Sequence, residues 1–480
     1  MNILFAASEA APFIASGGLA DVAGSLPKAI KEKGHDCRVV IPLYSGISEE
    51  MRSQLKFLCN FKVKVAWREQ YCGVFTGEAG GVTYYFIDNE YYFSRQGLYG
   101  FYDDCERFVF FSRAVLDMIR VLKTTPDEKD RFCPDIIHSN DWQTALIPVY
   151  YQIFYKYLEE YSGIKNVFTI HNIQYQGKYG AEVVSELLGI PSFNYSILDY
   201  MNCVNLMKGA IETADKITTV SPTYAKEILD PYYSHGLDII LRTKQGNLCG
   251  FLNGIDTEFY NPETDKSITK NYSAKNPEGK KECKKALISE LGLSDGAEPI
   301  VGIITRFVSH KGIDLVRYVF EDMVRSGFKF AILGSGEKVY EDFFTEMAWR
   351  YPDKVSVTLG FKPDLARRIY SGADLFLMPS QSEPCGLAQM LSTRYGTPAI
   401  VRETGGLKDS ISDCGTPGGI GFTFKTYNAH DMYSACQRAM GYYYSDEWNN
   451  LVKHIMGVDF SWLYSAELYL GLYRELVGDI

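Results

Sequence analysis

Short β-rich runs alternate with longer amphipathic runs along the whole chain. Alternation of this kind is typical of parallel sheets whose strands are joined by helical crossovers. The first series of predicted strands is Ile3–Ala7, Cys37–Ile41, Tyr84–Ile87, Ile136–His138, Val167–Ile170 and Ile217–Val220. The second series is Ile300–Thr305, Phe328–Leu333, Val355–Thr358, Leu375–Met378, Ala399–Val401 and Phe422–Phe424. Two such series predict two doubly wound, Rossmann-like α/β domains.

The stretch between the two series sets the predicted domain boundary near Gly246. Leu248–Asn253 is already strand-like, and the polar, lysine-rich stretch Pro262–Lys285 leads into the second series. Asp459–Val477 has an aromatic and leucine-rich helical pattern, which either completes the second core or crosses back to the first domain. The predicted domains are residues 1–245 and 246–458, with residues 459–480 as a C-terminal helix that packs back on the first domain.

Length and composition place the chain among ordinary globular proteins. Its 480 residues indicate two or three domains, with 46% hydrophobic and 22% charged residues. A net charge of −10 argues against nucleic-acid binding, and no apolar run reaches the roughly 20 residues that span a bilayer. The 11 cysteines lack metal-ligand spacing, and the N-terminus is typical of a strand rather than a signal peptide. We therefore expect a cytoplasmic protein with no metal, membrane or nucleic-acid partner.

Ligands of open α/β sheets bind outside the carboxyl ends of the strands. Two such domains facing each other form a deep cleft, which can hold two substrates while excluding water. Candidate functional residues are therefore expected directly after predicted strands.

A pair of glycines, Gly17-Gly18, follows the first strand region and precedes a predicted helix over Leu19–Lys33. Glycines let a backbone approach a bulky anion closely, and the helix N-terminus offers free amides. A tight strand-to-helix turn explains the same residues equally well, so both interpretations remain open. The spacing matches neither a dinucleotide-binding motif nor a P-loop.

Two cations, Arg306 and Lys311, directly follow the predicted strand Ile300–Thr305. Cations at the carboxyl end of a strand suit a diphosphate, which arginine can bind through two parallel hydrogen bonds. They would also stabilise a departing diphosphate as negative charge grows on it. The alternative is a solvated loop with ordinary surface charges.

Two glycine-containing turns follow consecutive strands of the second series. Ser382–Gln389 presents the carboxylate of Glu383 and then a proline and a glycine before a helix, and Glu403–Leu407 repeats the arrangement one strand later. Carboxylates suit the hydroxyls of a sugar, and helix amides suit phosphates. Either turn alone is a weak signal, but together they indicate a site for a sugar joined to a phosphate.

Polar residues also end two strands of the first domain. Asp141 follows one strand and His171 follows the next, so both are candidates to face the cleft. Trp142 offers an apolar ring on which a sugar can pack. A hydrogen-bonded structural role is the alternative for a histidine at a strand end, and we favour that role for His138.

These motifs together resemble one family, the bacterial glycogen synthases and plant starch synthases, which share the two-domain GT-B fold. The resemblance runs in order through nearly the whole chain. Its segments are Ser8–Phe13, Gly17–Val22, Tyr99-Gly100, His138–Trp142, His171–Gly177, Thr219–Ala225, Leu252–Asp256, Arg306–Lys311, Glu383–Gln389, Arg394–Thr397 and Thr404–Leu407. In order and combination they are far more specific than any single motif.

The resemblance implies a retaining transfer of glucose from ADP-glucose to the non-reducing 4-hydroxyl of an α-1,4-glucan such as glycogen or starch. It implies no cofactor and no metal, an acceptor domain at 1–245 and a nucleotide-sugar domain at 246–458. The implied catalytic residues are His171, Glu383, Arg306, Lys311 and Asp141. The implied donor-binding residues are Ser16, Gly17, Gly18, Asn253, Cys385, Gly386, Leu387, Thr404 and Gly405. The implied acceptor-binding residues are Trp142, Tyr99 and Asn172.

One position departs from the family pattern. The family usually has a lysine two positions before the glycine pair, and this chain has Ala15. Loss of one charge-assisted contact costs on the order of 1.5–3 kcal/mol, which predicts weakened or altered use of the donor. Ser16 cannot replace the charge, although its hydroxyl could reach a phosphate.

Two other functions fit parts of the pattern. Ala15 also fits a weakly active or inactive glucan-binding or regulatory paralogue. A transferase acting on another acceptor, such as sucrose or a lipid, fits the fold but not the first-domain motifs. The oligomeric state and the preference for ADP-glucose or UDP-glucose remain open from sequence.

Overall fold

The chain divides into two units in the computed structural model, which describes residues 1–125 and 130–478. Unit 1 comprises Met1–Gly254 and Trp462–Ile480, and unit 2 comprises Ile255–Ser461. The last two residues of the predicted range 459–480 lie outside the described residues. None of the helices in the described ranges combines the length and hydropathy that a bilayer span requires.

Unit 1 is built on a mostly parallel sheet, with a separate small sheet beside it. Its strands are β1 (Asn2–Ala6), β2 (Asp36–Pro42), β3 (Lys56–Val65), β4 (Arg68–Ala79), β5 (Val82–Asp88), β6 (Ile136–Asn140), β7 (Lys165–Ile170), β8 (Lys178–Tyr179), β9 (Asp199–Tyr200), β10 (Cys203–Asn205), β11 (Lys216–Thr219) and β12 (Leu248–Gly250). Its helices before the crossing to unit 2 are α1 (Gly18–Glu32), α2 (Glu49–Ser53), α3 (Glu90–Phe93), α4 (Asp104–Thr124), α5 (Leu146–Tyr150), α6 (Leu206–Thr213), α7 (Pro222–Glu227) and α8 (Asp238–Thr243). Within the described residues, the large sheet has the order β12-β11-β7-β6-β1-β2-β5-β4-β3, and β8-β10-β9 form the small one.

The parallel part of this sheet contains the strands that the sequence predicts. β1 pairs in parallel with β2 and β6, and β6 pairs in parallel with β7. Their carboxyl ends therefore lie at one sheet edge, where residues 7–18, 141 and 171 follow them. The antiparallel hairpin of β3 and β4 extends the sheet beyond β5 and was not predicted.

Unit 2 contains a sheet that is parallel throughout. Its strands are β13 (Ile300–Ile304), β14 (Lys329–Gly334), β15 (Val355–Leu359), β16 (Leu375–Met378), β17 (Ala399–Arg402) and β18 (Phe422–Phe424). Its helices are α9 (Glu278–Leu291), α10 (Ile313–Arg325), α11 (Lys338–Arg350), α12 (Pro363–Gly372), α13 (Ala388–Arg394), α14 (Gly405–Ser410), α15 (Ala429–Tyr443) and α16 (Trp448–Met456). Over the described residues the order is β15-β14-β13-β16-β17-β18. Strands up to β15 are added on one side of β13 and later strands on the other side, so the strand order switches between β13 and β16. Ligands of doubly wound sheets bind at this switch point.

Helix α1 is amphipathic and fixes the loop in front of it. Leu19, Val22, Leu26 and Ile30 recur at helical spacing, and all are buried against unit 1. A side chain at Gly24 would place its Cβ 2.6 Å from the carbonyl oxygen of Ala11. Only a glycine at position 24 lets the helix lie directly against the loop that leads to Gly17-Gly18.

The boundary between the units lies after Gly254 rather than at residue 246. Strand β12 pairs in parallel with β11, so residues 248–250 complete the sheet of unit 1. The chain then forms unit 2 and returns at helix α17 (Trp462–Val477), which packs against α1 of unit 1. The side chain of Ser465 donates a hydrogen bond to the carbonyl of Leu252.

A buried polar chain ties α17 to the sheet of unit 1. His138 Nδ1 lies 2.6 Å from the hydroxyl of Tyr473, and His138 Nε2 lies 2.5 Å from Oγ1 of Thr169. His138 and Tyr473 have no exposed surface, and burial lowers the pKa of His138 to about 3. His138 is thus a neutral residue held in the interior of unit 1.

Replacing Tyr473 with phenylalanine is expected to lower the free energy of unfolding by about 1–3 kcal/mol, because one ring nitrogen of His138 loses its partner without gaining water. Urea denaturation followed by circular dichroism measures the change. Tyr464→Phe on the same helix is the control, since Tyr464 is 70% exposed. Equal stability of the two variants would contradict the role given to this hydrogen bond.

Candidate functional site

The loop that carries Gly17-Gly18 is anchored by a nearly buried carboxylate. Glu9 is 3% exposed and accepts a hydrogen bond from the backbone amide of Ser16. Burial raises the pKa of Glu9, while its hydrogen bonds with Ser16 oppose that shift. Ala15, Ser16 and both glycines are exposed. The amides of Ser16 and Gly17 both bind Glu9, whereas the exposed Gly18 lies beyond these contacts.

Asp141, at the end of β6, binds the backbone at the end of β7. Its φ angle of 57° lies in the left-handed region. Asp141 Oδ1 accepts hydrogen bonds from the amides of His171, at 2.8 Å, and Asn172, at 3.4 Å. Burial raises the pKa of Asp141 to about 7, and the two amides oppose that shift. The predicted residues Asp141 and His171 are thus in direct contact.

The imidazole of His171 is held by a residue that the sequence analysis did not single out. His171 Nε2 lies 2.8 Å from Oδ1 of Asn140, the last residue of β6. Burial lowers the pKa of His171 to about 3, so the ring is neutral at physiological pH. The side-chain Oδ1 of Asn172 accepts a hydrogen bond from the amide of Gln174, 3.0 Å away, within the following turn.

The predicted acceptor-binding rings, Trp142 and Tyr99, both pack within unit 1. Trp142 stands edge-on to Phe108 with ring centroids 5.2 Å apart. A side chain at Gly177, where φ is +65°, would place its Cβ 2.7 Å from the indole of Trp142. The hydroxyl of Tyr99 lies 2.7 Å from Oγ of Ser8. Both rings remain partly accessible, so packing fixes their positions without enclosing them.

Asn253 has a buried acceptor with no partner. It is 7% exposed, and its Oδ1 atom has no hydrogen-bond partner among the described residues. Unpaired buried acceptors are uncommon in folded proteins because each one forfeits its hydration. A buried acceptor of this kind fits a predicted donor-binding residue, since the hydroxyls of a sugar can donate to it.

In unit 2, Lys311 and Glu383 form a close ion pair at the switch point of the sheet. Lys311 Nζ lies 2.6 Å from Glu383 Oε2, which also accepts a hydrogen bond from Oγ of Ser380 at 3.0 Å. Glu383 is 7% exposed and Ser380 is 1% exposed. Arg306 is exposed, with no ion pair in the described ranges. Unit 2 thus places one paired cation, one solvent-facing cation and one carboxylate at neighbouring strand ends.

The turns that follow β16 and β17 pack backbone against backbone. The amide of Gly406 donates to the carbonyls of Glu383 and Pro384, both at 3.1 Å. A Cβ at Gly405 would lie 2.0 Å from the carbonyl oxygen of Glu383, and one at Gly406 would lie 2.0 Å from that of Cys385. Thr404 and Gly405 are thereby brought against the turn that contains Glu383. The two predicted donor-binding turns therefore pack together.

A side chain of helix α13 also holds the first of these turns by hydrogen bonds. Gln389 donates hydrogen bonds through Nε2 to the carbonyls of Cys385 and Gly386, at 3.1 and 2.9 Å. Gly386 adopts a φ of +71°, and Leu387 directly precedes α13. Cys385 is buried, while Gly386 and Leu387 are partly accessible. In the described part of the chain, no group of three or more His, Cys, Asp and Glu side chains has a metal-binding arrangement.

Three residues that bind predicted site residues were given no role in the sequence analysis. They are Glu9 under the glycine loop, Asn140 beside His171 and Ser380 beside Glu383. Each lies at the carboxyl end of a strand or within three residues after it, which was the available signal. The sequence alone does not show which residue each of the three binds.

Comparisons with known proteins agree with this architecture over the full chain. The starch synthase catalytic domain profile matches residues 2–243, and the profile of glycosyl transferases group 1 matches residues 285–441. The glycogen synthase of Anoxybacillus flavithermus is 46% identical, covering 100% of this chain and 98% of its own length. The glycogen synthase of Clostridium acetobutylicum is also 46% identical, covering 99% of this chain and 100% of its own.

Solved structures give the same result. The catalytic domain of starch synthase IV from Arabidopsis thaliana, bound to ADP and acarbose, matches with a TM-score of 0.89 and 34% identity over 99% of each chain. Sucrose-phosphate synthase from Thermosynechococcus elongatus matches with a TM-score of 0.61 over 100% of each chain, but at 16% identity it shows the fold alone. The fold and its strand-end residues therefore define a GT-B glycosyltransferase. The chain belongs to the family of glycogen and starch synthases.

Proposed function

We propose that this chain transfers glucose from ADP-glucose to the non-reducing 4-hydroxyl of an α-1,4-glucan, with retention of the anomeric configuration. The observation that carries the proposal is the contact of Lys311 with Glu383 beside the solvent-facing Arg306. Two cations next to a carboxylate match the chemistry of a diphosphate joined to a sugar, because cations bind phosphate and a carboxylate binds hydroxyls. The relative from Arabidopsis thaliana, which was solved with ADP and acarbose, supports the same substrates.

Stabilisation of the leaving diphosphate is the main catalytic task in this proposal. Charge grows on the diphosphate as the bond to glucose breaks, and fixed cations stabilise that charge without reorganising. Arg306 and Lys311 supply the positive charge, so the proposal needs no metal and no resident cofactor. The cysteines are free, as is typical of proteins in a reducing compartment. They therefore support a cytoplasmic location for the proposed enzyme.

Retention without an enzyme nucleophile fits the state of Glu383. Its Oε2 atom already contacts Lys311 and Ser380, so the carboxylate is held and neutralised rather than poised to attack. We therefore assign Glu383 to binding the donor glucose. The leaving phosphate takes the proton of the acceptor hydroxyl on the same face, and positioning of both substrates supplies the remaining rate.

The proposed contribution of unit 1 is to bind the sugars and the backbone side of the phosphates. The exposed backbone of Gly18 is offered to a phosphate, and Asn253 offers an unpaired acceptor. His171 contacts the transferred sugar, with Asp141 holding its main chain.

A transfer assay tests the proposal directly. Purified protein is incubated with ADP-glucose or UDP-glucose and a maltooligosaccharide primer, and both nucleotide release and primer length are measured. We expect ADP release matched mole for mole by added glucose, with a product that α-1,4-specific amylases digest. No nucleotide release above background with either donor would refute it.

Ala15 favours a second candidate function, a weakly active or inactive glucan-binding paralogue. Ala15 is exposed, so it is a suitable position at which to introduce a lysine. If the remaining machinery is intact, Ala15→Lys is expected to raise kcat/KM for ADP-glucose roughly ten- to a hundredfold, through one charge-assisted hydrogen bond. Steady-state kinetics measure the gain. Ala15→Met is the control for length without charge, and an inactive protein that lysine does not improve would favour the paralogue.

A further inference from the structure

Asn140 lies where it can control the chemistry of His171 without touching a substrate. It ends strand β6, faces Thr169 of β7 in register, and has no exposed surface. Its side-chain oxygen is the partner of His171 Nε2 at 2.8 Å. Because the amide lies in the interior, its orientation is fixed by the protein alone.

The neighbours of Asn140 decide which end of its amide faces the imidazole. Asn140 Nδ2 donates to the carbonyl of Ala6, on β1, at 3.0 Å and to the carbonyl of His138 at 3.2 Å. Carbonyl oxygens only accept hydrogen bonds, so the amide nitrogen must face them and the amide oxygen must face His171. An inverted amide would set its oxygen against both carbonyls.

The orientation of the amide in turn decides where His171 carries its proton. A carbonyl oxygen accepts only, so the nitrogen of His171 that faces it must carry the hydrogen. The neutral ring has one N–H group, which leaves Nδ1 as an acceptor. Within the described residues Nδ1 has no hydrogen-bond partner, and the side chain is partly accessible.

We propose that Asn140 is a positioning residue that holds His171 in the tautomer protonated at Nε2, so that Nδ1 accepts a hydrogen bond from a sugar hydroxyl. The proposal rests on the proposed function for the identity of the sugar, but the tautomer itself does not depend on it. Asp141 complements Asn140, since it binds the main chain of His171 while Asn140 binds the ring. The two consecutive residues therefore fix both the place and the hydrogen-bonding character of His171.

Burial, rather than a neighbouring charge, keeps the ring of His171 neutral over a wide pH range. Burial lowers its pKa to about 3. His138 is the neighbouring titratable group on β6, and His171 in turn lowers the pKa of His138. The carboxylate of Asp141 is engaged with the main-chain amides, and Glu9 acts electrostatically on Asp141.

Nitrogen NMR on protein with labelled histidine tests the proposal without any turnover. The signals of His171 are assigned by their absence in His171→Gln, among the 7 histidines of the chain. We expect a protonated Nε2 and an unprotonated Nδ1, unchanged between about pH 5 and pH 8. A protonated Nδ1 in the wild-type protein overturns the proposal.

Two variants of Asn140 connect the tautomer to catalysis. Asn140→Leu removes the acceptor, and we expect the Nε2 preference to be lost and kcat/KM to fall roughly ten- to a hundredfold, since the ring is no longer oriented. Asn140→Asp keeps an acceptor toward Nε2 and sets its second oxygen against the carbonyls of Ala6 and His138; wherever this carboxyl is ionised, its negative charge favours the imidazolium. Its kcat/KM is therefore expected to fall as pH decreases in a limb additional to any that Asp141 causes near pH 7, whereas His171 causes no such limb in the wild type.

The control is Asn166→Leu, which removes another buried amide at the opposite end of β7. It should leave both the His171 spectrum and the pH profile unchanged. If Asn140→Leu keeps its tautomer and stays within about twofold of wild-type kcat/KM, the positioning role is refuted. If Asn140→Leu fails to fold, the wild-type spectrum and the Asn140→Asp profile still decide. A protein with the expected tautomer but no glucose transfer contradicts the proposed function alone.

Discussion

Replacement of Lys311 with methionine is expected to lower kcat/KM for ADP-glucose about 10²- to 10³-fold, the usual effect of removing one group that stabilises a developing anion. Lys311 carries one of the two cations assigned to the diphosphate. It is also the partner of Glu383, which is 7% exposed and would keep only Ser380. The variant therefore loses phosphate binding and leaves a nearly buried carboxylate without its countercharge.

Initial rates over a range of ADP-glucose concentrations measure this effect, with ADP binding by calorimetry as a second readout. Lys338→Met is the matched control, because Lys338 pairs with Asp342 on an exposed helix surface of the same unit. A loss of less than about fivefold in Lys311→Met would contradict the assignment. Lys311→Arg should recover part of the activity, since it restores the charge with a different shape.

The second large effect is expected from Gly406→Ala. The new methyl group would lie 2.0 Å from the carbonyl oxygen of Cys385, so the turns after β16 and β17 must separate. That separation also breaks the hydrogen bonds from Gly406 to Glu383 and Pro384. We expect a loss of about 3 kcal/mol or more in the free energy of unfolding, and transfer activity reduced to background.

Urea unfolding curves and the transfer assay measure the two consequences together. Gly441→Ala is the control, since a Cβ at that position meets nothing within 4 Å and alanine favours the surrounding helix. It should be as stable as the wild type or slightly more so. Wild-type stability in Gly406→Ala would show that the two turns can move apart without cost.

The parallel strands were predictable because they are buried on both faces. Ile300–Ile304 and Leu375–Met378 are continuous apolar runs, which are the signature of such strands. The hairpin of Lys56–Val65 and Arg68–Ala79 escaped prediction because exposed and buried positions mix along it. The boundary was displaced for a different reason: the strand at residues 248–250 was predicted, but only its pairing with β11 shows that it belongs to the sheet of unit 1.

The charged candidates of unit 2 were predictable, but their pairing was not. Lys311 and Glu383 are separated by 72 positions, and only the parallel order of β13 and β16 brings their strand ends together. Asn140 and His171 are 31 positions apart and meet through the pairing of β6 with β7. Residue type and strand position thus identify candidates, whereas the choice of hydrogen-bond partner needs the register of the sheet.

The return of the chain to unit 1 has a consequence for synthesis on the ribosome. Unit 2 is inserted between Gly254 and Trp462, and its two ends meet where Ile255 bridges to Ser461. All of unit 2 therefore emerges before α17, so it can complete its sheet while α1 still lacks the helix that covers it. Unit 1 starts first but is finished last, and a nascent chain halted after unit 2 would expose an apolar face that invites aggregation.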